Sequence, residues 1–174
     1  MNKRTVIIIL LVFSIIALLL TQKYYNTKMS LEEYLLSIEK LYEEANQRYR
    51  MKISPYESID NMTSEELRIY IITSHSSVKD LRDGIQNLSP PTLVFEYHKN
   101  MLFGLDNMLR DLFKLTIKAD NIMREEQFES LYNEFYEVYY MGKFEGSELI
   151  INSCKKLQDY ADENNIYVRL QCRG

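Results

Sequence analysis

An uncharged apolar run near the N-terminus constrains the fold of this chain more than any other feature. Residues 6–20 (VIIILLVFSIIALLL) contain one polar side chain, Ser14, and no charge. With its flanking threonines the run covers residues 5–21, which as a helix would measure about 25 Å at 1.5 Å per residue. That is slightly less than the roughly 30 Å hydrocarbon core of a bilayer, so interfacial side chains must complete the span. Charged and aromatic side chains suited to this position flank the run: Lys3, Arg4, Lys23, Tyr24 and Tyr25. We therefore predict a transmembrane signal-anchor helix over residues 5–21.

A cleaved secretory signal is the main alternative for this run, because it too has a charged start and an apolar middle. Cleavage needs small residues one and three positions before the cut. Here the run ends Ala-Leu-Leu-Leu-Thr-Gln over residues 17–22, which places leucine where a small residue is required. A buried core helix is a third interpretation, but such helices seldom contain fifteen nearly continuous apolar residues. These comparisons favour a retained anchor.

The charges on either side of the run predict its orientation. The amino terminus, Lys3 and Arg4 stand on one side, and Lys23 and Lys28 stand on the other. Positive residues favour the cytoplasmic face, and long domains translocate largely regardless of their charge. We expect a short cytoplasmic N-terminus and a cell-membrane protein whose soluble domain lies on the extracytoplasmic side.

The remainder of the chain is acidic. Without Lys3 and Arg4, 19 basic residues remain against 25 acidic ones, a formal charge of −6. An acidic surface repels phosphate backbones, so we expect no nucleic-acid partner. The resulting domain organisation is a short N-terminus (1–4), the anchor (5–21), a juxtamembrane segment (22–29), a helical bundle domain (30–165) and a C-terminal tail (166–174).

Capping signals and helical periodicity predict the elements of the bundle. Ser30-Leu31-Glu32-Glu33 and Thr63-Ser64-Glu65-Glu66 are capping boxes, each followed by apolar residues at helical spacing. The first helix is expected to run from Ser30 to about Met51. The second, which starts after Thr63, is expected to stop at Ser89-Pro90-Pro91, because proline supplies no N–H.

Three further helical patterns follow. The third helix is expected to begin with Thr92 as its cap and to turn a stripe that includes Phe95, Leu105 and Phe113 towards the core. The fourth is expected to begin near Arg124. Gly142 and Gly146 either kink this helix or separate it from a fifth. The fold class is therefore all-α, an N-terminal transmembrane helix followed by an antiparallel bundle of four to five helices.

The C-terminal part contains both cysteines of the chain, Cys154 and Cys172. In an extracytoplasmic domain they are candidates for one disulfide, whose loop of about 18 residues corresponds to roughly 3 kcal/mol in the chain-entropy model. The alternative is a pair of free thiols. Residues 166–172 alternate like a strand, but a lone strand has no partner, so we predict a tail that lies along the bundle.

His98 is the strongest candidate for chemistry, since it lies on the apolar stripe of the third helix. A buried imidazole can act as a ligand, a base or a pH switch. The alternative is a structural histidine bonded to a backbone carbonyl near the start of the helix. The other histidine, His75, is displaced from it by roughly 10 Å along the predicted helix pair, too far for shared metal ligation.

Other residues that often mark active sites lack the required neighbours. Acidic pairs such as Glu32-Glu33 and Glu65-Glu66 fall in first turns, where carboxylates favour the helix dipole. Ser147 has no G-x-S-x-G context. The sequence predicts no catalytic, cofactor-binding or metal-binding residues.

Tyrosines on the fourth helix are candidates for binding a partner rather than for catalysis. Tyr132, Tyr136 and Tyr140 recur every four residues and are expected to share one face. Such a stripe is either a partner surface, where tyrosine is enriched, or the outer edge of a core. We expect a non-enzymatic, single-pass protein anchored in the lipid bilayer through residues 5–21, with an extracytoplasmic bundle that binds a protein or cell-envelope partner in an immunity, adaptor or sensor-accessory role. A structural subunit of a membrane complex, a secreted helical protein whose signal is cleaved, and an enzyme with an unrecognised site remain alternatives.

Overall fold

A computed structural model describes Ser14 and residues 29–53, 62–121, 125–170 and 172 of the chain. These residues form an all-α structure that contains five helices and no strand. The helices are α1 (Leu31–Ile53), α2 (Ser64–Gln86), α3 (Phe95–Ala119), α4 (Glu125–Tyr139) and α5 (Ser147–Glu163). A 3-10 turn, Thr92–Val94, precedes α3. The predicted helical bundle is confirmed.

The predicted anchor, residues 5–21, lies outside the described residues except for Ser14. Most of the juxtamembrane segment, 22–28, and most of the loop between α1 and α2 also lie outside them. Within the part that the structure describes, no helix is both long enough and apolar enough to cross a bilayer.

The first two helices begin as the capping boxes predict. The Glu33 N–H donates to Ser30 Oγ at 3.2 Å, and the Ser30 N–H donates to the Glu33 carboxylate at 3.0 Å. Thr63 and Glu66 form the same reciprocal pair at the start of α2. These hydrogen bonds from Ser30 and Thr63 hold the pKa values of the two glutamates below the usual range. Helix α2 ends at Gln86, before the two prolines.

The expected start of the third helix was wrong. Thr92 opens a 3-10 turn, closed by the Val94 N–H donating to the Pro91 carbonyl at 3.1 Å, and α3 begins only at Phe95. Val94 is fully buried and so fixes this turn in the core. Phe95 and Phe113 are about half exposed rather than buried. Both lie roughly 100° around α3 from the stripe that does enter the core, namely Met101, Leu105, Leu112 and Leu115.

Helices α2 and α3 pack antiparallel in a constant register. Arg68 Nε donates to Asp120 Oδ1 at 2.7 Å, and Arg82 Nε donates to Asp106 Oδ1 at the same distance. Midway between them, the rings of His75 and Phe113 lie 6.2 Å apart. Each pair is seven residues from the next on both helices, a spacing that keeps one seam between two helices in contact.

Helix α5 lies close to α3 because two glycines meet at the crossing. A Cβ at Gly104 would come within 2.8 Å of the Gly146 carbonyl oxygen and would overlap the Ile150 side chain. Gly142 and Gly146 both have positive φ, 61° and 87°. They separate α4 from α5, the second of the two predicted outcomes.

The tail lies along the bundle, as predicted, and is not a strand. The Arg169 N–H donates to Glu39 Oε1 on α1 at 2.6 Å. Gln158 on α5 donates to the Val168 carbonyl and accepts from the Leu170 N–H. Val168 and Leu170 are buried. The sulfur atoms of Cys154 and Cys172 form a disulfide, with the two Cα atoms 5.3 Å apart, which joins this tail to α5.

Candidate functional site

His98 serves as a cross-link between helices. It is buried on α3, and its Nδ1 lies 3.1 Å from the Tyr34 hydroxyl on α1. Burial lowers the pKa of His98 and raises that of Tyr34, so both groups are held in their neutral forms. If His98 has a structural role, the sequence predicts that it bonds to a backbone carbonyl near the start of the helix. The structure instead pairs it with a side chain from a distant part of the sequence.

His75 lies on the seam between α2 and α3, beside the Phe113 ring. Burial lowers its pKa, and the nearby Lys79 charge lowers it further. Among the residues that the structure describes, no three His, Cys, Asp or Glu side chains come together in a way that could hold a metal ion.

The three predicted tyrosines do share one face, which we call the tyrosine face (Tyr132, Tyr136 and Tyr140). The rings of Tyr132 and Tyr136 stack with centroids 6.3 Å apart, and those of Tyr136 and Tyr140 stack at 5.3 Å. Tyr140 lies one residue beyond α4, but its N–H still donates to the Tyr136 carbonyl at 2.9 Å. Tyr136 is 42% exposed and Tyr140 is 40% exposed. Much of this aromatic area therefore faces solvent.

A buried aromatic layer supports the tyrosine face from below. Phe135 is buried, and its ring contacts Tyr139 at 5.4 Å, Tyr70 at 5.3 Å and Tyr140 at 6.1 Å. The hydroxyls of Tyr70 and Tyr140 are hydrogen-bonded to each other. Tyr70 belongs to α2, so this contact ties the outer face to another helix. Burial raises the pKa of Tyr139.

A cleft of about 420 Å³ opens beside the tyrosine face. Its walls come from α1, α2, α3, the end of α4 with the loop that follows it, and the start of α5. Its lining residues are Tyr42, Ala45, Asn46, Ser77, Val78, Leu81, Leu105, Met108, Tyr139, Tyr140, Gly142, Phe144, Ser147, Ile150 and Ile151. None of the described side chains that line the cleft is charged, although 26% of the whole chain is charged. Tyr140 belongs to both the tyrosine face and the cleft, so the two form one continuous surface.

Hydroxyl groups give this apolar cleft a small polar component. Burial raises the pKa of Tyr42 to about 12, so its phenol is protonated at neutral pH. Ser77 Oγ donates to the Ala45 carbonyl at 3.1 Å. Ser147 stands at the first position of α5, where its N–H donates to the Phe144 carbonyl at 3.2 Å. The cleft has the volume and the mainly apolar lining that are usual for binding sites.

The chain matches no protein-family model, no curated protein and no solved structure. Its candidate site is therefore described from its own residues. The four-residue spacing in the sequence predicts the shared face of Tyr132, Tyr136 and Tyr140, but nothing in the sequence indicates Tyr70, which contacts Tyr140 from another helix. The sequence also gave no signal for the cleft, because its walls come from five separate segments.

Proposed function

We propose that this chain is a non-enzymatic, single-pass membrane-anchored protein whose extracytoplasmic bundle binds a protein or cell-envelope partner through the tyrosine face. The observation that carries this proposal is the stack of partly exposed tyrosine rings at the rim of an uncharged cleft. A partner that covers the rings would place an apolar side chain in the cleft.

The physical chemistry of tyrosine supports this role. A tyrosine side chain offers a large contact area with few rotatable bonds, and its hydroxyl stays hydrogen-bonded when the ring is covered. Stacking and the Tyr70–Tyr140 hydrogen bond hold these rings in place before any partner arrives. Little side-chain entropy is then lost on binding, which leaves more of the contact energy available for affinity.

Two observations support the extracytoplasmic location. Residues 6–20 form an uncharged apolar run, which its flanking interfacial side chains extend to the length of an anchor. The Cys154–Cys172 disulfide is of a kind that forms and persists in oxidising compartments and is rare in the cytosol.

Site-specific photocrosslinking in cells tests the proposed surface. A photoreactive phenylalanine analogue is placed at position 136 of the full chain, and as a control at position 113, where the native side chain is 53% exposed on another part of the bundle. We expect a defined adduct at position 136 that Tyr132→Ala diminishes, and no such adduct at position 113. Equal adducts at the two positions, or none at 136, would contradict the proposed surface.

Affinity gives a second readout once the crosslinked partner has been identified. Truncating an anchoring aromatic residue costs more than about 1 kcal/mol, so Tyr136→Ala should weaken partner binding by roughly tenfold. Phe113→Ala is the matched control and should leave the affinity unchanged.

A further inference from the structure

One end of the bundle carries exposed apolar side chains close to the point where the chain continues towards the predicted anchor. The Met29 N–H donates to the Ser89 carbonyl at 3.1 Å, which places the start of α1 beside the turn between α2 and α3. The end of α5 lies here too, since the rings of Tyr97 on α3 and Tyr160 on α5 are 6.1 Å apart. We call this region the α1 end, because the N-terminal end of α1 lies here. It consists of Met29, the turn 87–94, the first turn of α3 and residues 160–167.

Three large side chains project from the α1 end. Leu93 is 56% exposed, Phe95 is 48% exposed and Tyr167 is 97% exposed. They come from two separate segments, the 3-10 turn with the start of α3 that it leads into, and the tail after α5. The Lys99 ammonium lies 5.7 Å from the centroid of the Phe95 ring. Tyrosine is enriched at the headgroup level of a bilayer, where a lysine can also keep its ammonium in water while its stem lies on apolar surface.

The length of the link to the anchor limits how far this end can move from the membrane. Seven residues, 22–28, separate the predicted anchor from Met29, and they span at most about 25 Å when fully extended. Helix α3 measures about 37 Å at 1.5 Å per residue, so the opposite end of the bundle lies farther from Met29 than the link is long. The α1 end is therefore the part of the bundle that the link keeps near the bilayer.

The charges at this end indicate what kind of bilayer surface it would contact. Glu96, Asp162 and Glu163 are exposed in the segments that carry the apolar side chains, and these three carboxylates outnumber the one ammonium of Lys99. Carboxylates repel anionic headgroups, so contact must come from insertion of apolar side chains rather than from attraction to acidic lipids.

We infer that the α1 end docks on the membrane that holds the anchor, with Leu93, Phe95 and Tyr167 inserted at the headgroup level of an uncharged or zwitterionic surface. This inference rests on the membrane anchoring in the proposed function. Docking at the α1 end holds the bundle upright and leaves the tyrosine face and its cleft accessible to a partner.

Tryptophan fluorescence tests the docking directly, because the chain has no native tryptophan. The full chain carrying Phe95→Trp is reconstituted into phosphatidylcholine vesicles that contain brominated lipid. Phe113→Trp is the matched control, since Phe113 is of the same residue type on the same helix, similarly exposed and about 27 Å further along α3. Tyr167→Trp is a second docking reporter in case Phe95→Trp disturbs the fold, which circular dichroism would reveal.

We expect the reporters at positions 95 and 167 to shift to the blue and to lose most of their emission to brominated lipid, while the reporter at position 113 is unaffected. Replacing part of the phosphatidylcholine with an anionic lipid should weaken the quenching. An anchored chain, resistant to alkaline carbonate extraction, that shows no quenching at 95 or 167 would overturn the docking but leave the anchor intact. Equal quenching at 95 and 113 would also overturn it, since the bundle would then lie on its side. Release of the chain by carbonate would refute the anchor itself, and the docking with it.

Discussion

The close contact between α3 and α5 lets us predict how two glycine-to-alanine substitutions differ in their effect on the free energy of unfolding. At Gly104 an added Cβ would lie within 2.8 Å of the Gly146 carbonyl oxygen, a backbone atom, and would overlap Ile150. At Gly84, in the interior of α2, an added Cβ would lie 2.5 Å from Leu41 Cδ2, the end of a side chain that can rotate away. The two positions thus differ in whether the neighbouring atom can move.

Both substitutions gain about 1 kcal/mol from the helix preference of alanine over glycine. Only Gly104→Ala must push two helices apart, and overpacking of this kind costs about 1–3 kcal/mol. Because both variants gain this helix preference, it cancels in the difference between their free energies of unfolding. Gly104→Ala should therefore be less stable than Gly84→Ala by about 1–3 kcal/mol, and Gly84→Ala should be at least as stable as the parent.

Urea unfolding of the full chain in a mild detergent, followed by far-UV circular dichroism, measures this difference. The midpoint for Gly104→Ala should fall below that of Gly84→Ala with an unchanged slope. If Gly104→Ala were as stable as Gly84→Ala, the close α3–α5 contact would be refuted, and with it the position of Ile150 in the wall of the cleft.

Three further predictions concern the side chains that join distant parts of the chain. Burial lowers the pKa of His98 in the folded protein, so as the pH falls the unfolded chain binds a proton at this residue before the folded chain does. The free energy of unfolding should therefore fall as the pH drops below about 6.5, the ordinary pKa of histidine. Urea titrations at pH 7.5 and 5.5 should show a smaller fall for His98→Gln than for the parent, and His75→Gln is the comparison because the pKa of His75 is lowered too. Tyr34→Phe removes the hydroxyl bonded to His98 and leaves a buried nitrogen without that partner, so it should lower the free energy of unfolding by about 1–3 kcal/mol. Cys154→Ser opens a loop with a sequence separation of 18 residues, so it should lower the free energy of unfolding by roughly 3 kcal/mol in the chain-entropy model and increase protease cleavage near Arg169. An unchanged cleavage pattern would show that the hydrogen bonds and buried side chains of the tail hold it without the disulfide.

Features set by neighbours in the sequence could be predicted from the sequence. The capping boxes at Ser30 and Thr63 involve residues three apart, so their geometry follows from local chemistry. The two prolines at 90 and 91 end α2 for an equally local reason. The four-residue spacing of the tyrosines placed their rings on one face, because a helix repeats every 3.6 residues.

Features set by distant residues could not be predicted in this way. Helical periodicity predicted that Phe95 and Phe113 face the core. Which face of α3 points into the core depends, however, on how α2 and α5 pack against it. One of the two interpretations of His98 was a structural histidine bonded to a backbone carbonyl, whereas its partner is the Tyr34 hydroxyl, 64 residues earlier. Likewise, nothing near Tyr140 in the sequence indicates its hydrogen bond to Tyr70.

We propose that a membrane anchor holds this bundle on the extracytoplasmic side, where its tyrosine face meets a partner. Protease treatment of intact cells that express the full chain with a C-terminal tag tests the location most directly, with permeabilised cells as the control. We expect the tag to pellet with membranes before treatment and to be removed by protease added outside the cells. A tag that stays with the membrane but is protected in intact cells would contradict it, because the bundle would then face the cytoplasm.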